Sequence, residues 1–244
     1  MKQVANQHDV KRLGTILAVW AHPDDETFCA AGLLAAAVRN GQTVVCITAT
    51  RGEAGSQDIK KWPASKMGGV RTKELGQALK ILGIVNHHWL DYKDGRCAEA
   101  DPTMASSKVA NYINQYQPDT IITFGPEGLT GHPDHQAVSQ WVDSAAEQAA
   151  SKATILHSVL TVDQYENFLK TVDAKLNFFY NIDQPPLVPD ADCVICFNCT
   201  DELCNCKQDA FASMPSQYAK MRQAFAPEYL SEAFRVEAFI KADE

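Results

Sequence analysis

Two short stretches of this 244-residue chain concentrate imidazoles and carboxylates. Ala21 to Glu26 reads AHPDDE and Gly125 to His135 reads GPEGLTGHPDH, so His22, Asp24, Asp25, His132, Asp134 and His135 form one His/Asp set carried by two motifs. Such groups cannot be buried cheaply without partners. A divalent metal resolves the problem, and two imidazoles plus one carboxylate, with a fourth position open to water, is the composition of a catalytic zinc site. The chemistry this suggests is amide or ester hydrolysis: the metal acidifies water and polarises the carbonyl, and a carboxylate left over acts as general base. The same donor composition also makes the facial triad of iron(II) oxygenases, whose usual setting is a β-rich barrel.

Each motif has a plainer reading. Asp24 and Asp25 before a helix are good N-terminal caps, which accounts for one carboxylate but not for the neighbouring histidine, proline and third acid. His132 and His135 flank Pro133, which alone reads as a helix start. Arg51 and Glu53 fit an ordinary ion pair, Arg71 an exposed helix face, and Asp94 a turn. His87 and His88 read as packing or surface residues. Trp62 offers a sugar-stacking face or simple packing. Five thiols, Cys193, Cys196, Cys199, Cys204 and Cys206, resemble part of a metal-ligand spacing. They stand as a second metal site or as free thiols, and, with a non-catalytic hydrolase-like domain, as a metal or redox module.

The elements that must position these residues alternate. Apolar runs at 15–20, 43–48, 87–90, 120–124 and 154–160 read as buried parallel strands. Helical patterns at 28–39, 70–82, 104–116 and 136–149 lie between them. The expected fold is therefore a Rossmann-like α/β three-layer sandwich: a parallel sheet with helices on both faces over residues 1–160, and a small cysteine-rich C-terminal lobe over 161–244, packed on the core as one domain. Ligands of such sheets bind beyond the carboxyl ends of the strands. AHPDDE, RGEAG (51–55), LDYKDG (90–95) and GPEGLTGHPDH all follow strands and would meet there, with loops 53–69, 94–103 and 125–131 setting specificity.

Composition narrows the function classes. With 22 basic against 30 acidic residues and a net charge of −8, no basic face is available for nucleic acid. The longest apolar stretch, Cys29 to Val38, is about half of what a membrane span requires. The polar start MKQVANQHDVKRLG lacks an apolar signal region. A cytoplasmic protein with reduced thiols is the expectation.

AHPDDE after the first strand, RGE after the second and GxxGHPDH after the fourth resemble the LmbE-like/PIG-L family of zinc-dependent N-deacetylases, over residues 13 to 150 or so. The resemblance implies metal ligands His22, Asp25 and His135, with Zn2+ as the ion and Fe2+ as the alternative. It implies Asp24 as general base, and His132, in a charged form, assisting the tetrahedral intermediate or the leaving group. Arg71 and Asp94 would meet sugar hydroxyls, and Arg51 and Glu53 would support the metal shell. The implied substrate is a small N-acetylated molecule of the N-acetylglucosamine type, free or conjugated, and the family commonly forms homo-oligomers. Where the family often carries a histidine before Pro215-Ser216-Gln217, this chain has Met214.

Overall fold

The computed structural model describes residues 7–242; the first six residues, part of the polar start, lie outside the described residues. Five strands run as the hydrophobic pattern predicts, β1 (Ile16–Trp20), β2 (Val44–Thr50), β3 (Asn86–Tyr92), β4 (Thr120–Phe124) and β5 (Thr154–Thr161). Every residue of β1, β2 and β4 is buried, because helices cover both faces and leave no position for alternating polar side chains. Three further strands follow: β6 (Leu187–Val188), β7 (Ile195–Asn198) and β8 (Val236–Lys241). The helices are α1 (Asp25–Arg39), α2 (Ala64–Leu82), α3 (Pro102–Tyr116), α4 (Gly128–Gly131), α5 (Pro133–Gln148), α6 (Val162–Gln164), α7 (Lys170–Leu176), α8 (Asp201–Ala212), α9 (Pro215–Ala224) and α10 (Pro227–Ala233).

The sheet order is β3-β2-β1-β4-β5-β8-β7, with β6 beside β5. Strands β1 to β5 pair in parallel, as expected. Beyond them the sheet is mixed, since β8 runs antiparallel to both β5 and β7. The segment after residue 160 thus extends the central sheet rather than only resting on it. α1, α2 and α8 pack together on one face, and α3 packs against α5 on the other.

The order explains why the two histidine motifs meet. Chain progress reverses direction across the sheet between β1 and β4, and the crevice at such a switch point is where ligands of open α/β sheets bind. β1 lies directly beside β4, with Ile16 opposite Thr120, so the segments leaving these two strands emerge side by side.

β8 was not legible as a strand because Glu237 interrupts its apolar run. In the fold Glu237 is 2% exposed. Its two oxygens accept the backbone N–H groups of Gly32 and Leu33 in α1 at 2.8 Å each. Lys207 of α8 donates to Glu237 at 2.6 Å and to the Phe28 carbonyl at 3.0 Å. One buried ion pair therefore ties the late sheet and α8 to the helix that follows AHPDDE. Removing one partner of such a pair leaves an uncompensated charge, so Lys207→Met should destabilise the protein by about 3–5 kcal/mol in urea unfolding. A change below about 1 kcal/mol would show that the pair does not anchor α1.

Candidate active site

The AHPDDE loop turns sharply out of β1 into α1. Asp24 occupies the N-cap position at φ 112° and ψ −27°, yet its side chain makes no capping hydrogen bond, so the capping reading does not describe what its carboxylate does. Asp25 opens the helix, and its Oδ2 accepts the His22 backbone N–H at 2.7 Å. In the second motif Pro133 begins α5, and the His132 side chain caps that helix by accepting the Asp134 N–H at Nδ1, 3.1 Å away.

His22 and His135 converge on the two oxygens of Asp25, and His132 brings a third imidazole nitrogen within 4.8 Å of theirs. His22 Nδ1 lies 3.2 Å from His135 Nε2 and 3.6 Å from Asp25 Oδ2, and His135 Nε2 lies 3.4 Å from Asp25 Oδ1. Tetrahedral ligands at about 2.0–2.1 Å from a zinc ion stand about 3.4 Å apart, so these three residues fit a divalent cation. The far nitrogens are held as metal-binding histidines require. His22 Nε2 meets Asp94 Oδ1 at 3.1 Å and Asp134 Oδ2 at 3.2 Å, and His135 Nδ1 meets the Gly128 carbonyl at 2.9 Å. His135 also stacks on Phe124 at 4.0 Å. Burial would raise the Asp25 carboxyl, but His135 and His22 overcome it and hold the group well below the usual range.

Asp24 stands beside this set without joining its donor triangle. Burial pushes its carboxyl up to about 6, against the opposing charge of Arg71, whose Nη2 lies 3.1 Å from Asp24 Oδ1. Arg71 is 4% exposed, not on an exposed helix face. It donates to the carbonyls of Gly52 at 3.1 Å and of Pro23, tying the RGE loop to AHPDDE. Gly52 sits at φ 66°, and any Cβ there would collide with the guanidinium. Beneath Asp24, the buried Glu26 is raised to about 7 by desolvation.

His132 departs from expectation. Its Nδ1 accepts a backbone N–H, which a charged imidazole cannot do. Burial and the nearby His22 and His135 hold its pKa down to about 4. Both the bond at Nδ1 and the lowered pKa favour a neutral imidazole, whose proton then belongs on Nε2.

The residues expected to meet sugar hydroxyls also make contacts within the protein. Asp94 Oδ1 meets His22, and its Oδ2 accepts the Ala54 N–H at 2.8 Å. Both Asp94 and Arg71 still line the cleft, but their geometry is that of residues orienting His22 and Asp24. Glu53 supports Asp94 by accepting its N–H at 3.0 Å. Arg51 does not pair with Glu53. It binds Asp91 at 2.7 Å and covers the Trp89 ring at 4.0 Å.

Asp134 was present in the motif but had no assigned role. It is fully buried, accepts the N–H groups of Gly95 and Cys97, and braces His22.

The cysteines meet in pairs, Cys193 with Cys196 and Cys199 with Cys204. Among the described residues no three of their sulfurs lie within 4.8 Å of one another. Cys193, Cys196, Cys204 and Cys206 each reach a different backbone carbonyl. Cys204 and Cys206 are two positions apart on α8, a spacing that points side chains to different faces.

A cleft of about 490 Å³ opens over these residues. Its floor is His22, Asp24, Asp25, His132 and His135, and loops 53–69, 94–103 and 125–131 contribute Ala54, Gly55, Gln57, Asp94, Gly95, Leu129 and Thr130. Its far wall, not anticipated, comes from the C-terminal segment through Phe178, Tyr180, Gln217, Tyr218 and Met221. Trp62 is not part of the lining; it lies under Lys61. Met214 is buried in the core, while Gln217 donates to the Gly55 carbonyl at 2.9 Å.

The family model described as PIG-L, GlcNAc-PI de-N-acetylase, matches residues 17–146, the span that contains both histidine motifs. The chain belongs to the PIG-L family. Its relatives include the 1D-myo-inositol 2-acetamido-2-deoxy-alpha-D-glucopyranoside deacetylase of Mycobacterium sp. (strain KMS), 32% identical over 155 residues, 55% of this chain and 50% of that protein. The corresponding enzyme of Corynebacterium glutamicum (strain R) is 31% identical over 177 residues, 64% of this chain and 60% of that one. The chain thus spans about half the length of the curated relatives it matches.

The PIG-L fold extends beyond the matched span. The N,N'-diacetylchitobiose deacetylase of Pyrococcus horikoshii superposes with a TM-score of 0.65 at 19% identity, covering 95% of this chain and 85% of that one. A teicoplanin deacetylase in a zinc-inhibited form superposes at 0.67 and 14% identity, covering 94% and 99%. These likenesses establish the fold. Among the described residues no helix is long and apolar enough to cross a membrane.

The geometry makes two expectations for metal binding. Purified protein should hold about one divalent ion per chain, lost in a His22→Ala/His135→Ala variant and kept when the five C-terminal cysteines are changed to serine; elemental analysis checks both. Asp94→Asn should weaken metal affinity about 10–100-fold in a chelator competition titration, and unchanged affinity would remove Asp94 from the metal's support.

Proposed function

We propose that this chain is a metal-dependent N-deacetylase that hydrolyses the acetamide of an N-acetylglucosamine-type sugar or sugar conjugate, with zinc as the working ion and ferrous iron as the alternative. The observation that carries the reading is the placement of Asp24. A carboxylate outside the three-donor set, oriented by Arg71, lies at the floor of a cleft whose volume suits a small molecule. The named activities of several of these proteins, deacetylation of an inositol-linked 2-acetamido sugar and of N,N'-diacetylchitobiose, support the substrate class.

A cation held by His22, Asp25 and His135 supplies Lewis acidity toward the amide carbonyl and makes water more acidic. The remaining work belongs to the chain. Asp24 takes a proton from the attacking water, and its raised pKa makes it a stronger base than an exposed carboxylate. His132 presents Nε2–H to the oxygen on which negative charge develops. Asp24 then returns its proton to the departing nitrogen, so that amide and water become acetate and amine. Asp94, Asp134 and Glu53 keep His22 in the tautomer this requires.

The test is acetate release from N-acetylglucosamine, N,N'-diacetylchitobiose and N-acetylglucosaminyl-inositol. Wild type should release acetate from at least one. It should lose the activity to a chelator and regain it with Zn2+ or Fe2+, which also identifies the ion. Asp24→Asn should lower kcat about 10²–10⁴-fold while retaining wild-type metal content. Turnover in Asp24→Asn close to wild type would remove the base assignment.

A further inference from the structure

Glu26 is the third acid of AHPDDE, and no step above uses it. It is 0% exposed. Its Oε2 accepts the Asp24 backbone N–H at 3.0 Å, and its Oε1 accepts the Thr27 hydroxyl at 2.6 Å. Neither bond comes from a cation. A carboxyl in this position is expensive to bury, and its two neutral donors offset only part of that cost.

What it holds is an unusual backbone. Asp24 lies at φ 112° and ψ −27°, a region that residues other than glycine rarely occupy and keep only when their surroundings over-determine them. Three contacts do so here. The Asp24 carbonyl accepts the N–H groups of Thr27 and Phe28 at 2.9 Å each. Arg71 takes the side-chain Oδ1 at 3.1 Å. Glu26 takes the backbone N–H, the remaining point needed to define the residue's orientation.

A glutamate that reaches back to an N-cap N–H is also a common way to stabilise a helix start. That service is ordinarily performed at the surface, where the carboxylate keeps its water. Capping alone does not offset the burial of Glu26, and the strain lies at the residue to which the base role was given.

We propose that Glu26 is a positioning residue for the deacetylation: by accepting the Asp24 N–H from inside the protein, it holds Asp24 in the positive-φ conformation that sets its carboxylate beside the metal-binding set. The inference rests on the reading of Asp24 as general base. What the position requires is a buried acceptor, so an amide should serve where an apolar side chain does not.

The variants are Glu26→Ala, Glu26→Leu, which fills the same buried space if the alanine form does not fold, and Glu26→Gln. The readouts are steady-state acetate release from N-acetylglucosamine, metal content per chain, and crystal structures of wild type and of the folded apolar variant. In the apolar variant kcat should fall about tenfold or more with KM within about twofold of wild type, the pattern of an interaction that matters only in the transition state. Metal content should be unchanged, and Asp24 should leave positive φ. Glu26→Gln should restore kcat to within about threefold of wild type.

Wild-type kcat in the apolar variant overturns the proposal, as does impairment of Glu26→Gln to the same extent, or loss of metal together with activity. If wild type releases no acetate from this sugar, the kinetics are read on whichever of the other two sugars it deacetylates; release from none of the three makes the substrate reading fail, and the crystallographic arm still decides the contact. Asp24 staying at positive φ without Glu26 overturns the inference, and its relaxation supports it.

Discussion

Everything at this site depends on giving His22 a partner on each side of its ring. An imidazole buried among acids would rotate, or bind protons unproductively, unless both nitrogens were assigned. Asp94 and Asp134 take Nε2 at 3.1 and 3.2 Å, which leaves Nδ1 for the Asp25/His135 side. Those two carboxylates are in turn fixed by backbone N–H groups of Ala54, Gly95 and Cys97. The orientation of one ring is thereby referred back to the loops after β2, β3 and β4. This is why conserving the donor types without the loops would not make the same site.

Two halves of the chain divide the remaining work. The first five strands deliver the proposed metal-binding and base residues at the switch point between β1 and β4. The C-terminal segment closes the far wall of the cleft and braces α1 from behind through Glu237 and Lys207. α2 links the two. Its Arg71 orients Asp24, and its Glu74, one turn later, accepts the Ser216 N–H at 2.9 Å at the start of α9, the helix that carries Gln217, Tyr218 and Met221 into the wall. Wall and base are thus referenced to the same helix, a coupling suited to a reaction that requires substrate and base in fixed register.

The site is also electrostatically unequal by construction. Asp25 is held ionised by two imidazoles, whereas Asp24 and Glu26, adjacent in sequence, are pushed up by burial with fewer opposing charges. Neighbouring carboxyls with divergent environments are how one motif can supply a ligand, a base and a buried acceptor. His132 follows the same logic: the backbone bond to its Nδ1 favours the neutral ring that the proposed donor role uses.

Local chemistry by itself determined the parallel core and the motifs. Continuous apolar runs such as Ile16–Trp20 and Thr120–Phe124 read as doubly covered strands, and the loops after them carried the His/Asp groups in plain view. Which residues touch was a different matter. Asp94 looked like a turn residue and Asp134 carried no role, because their bracing of His22 spans 72 and 112 positions of chain. Arg71 read as surface because its carbonyl partners come from other loops. β8 was hidden because a buried glutamate breaks the apolar pattern unless Lys207, thirty residues away, is known to meet it. The cysteine cluster, dense in sequence, was divided into pairs by strand and helix geometry. Periodicity reports the environment of one element at a time, so it can show what must be buried. Only the tertiary structure decides which distant groups make that burial affordable in free energy, and the functional assignments follow from those pairings.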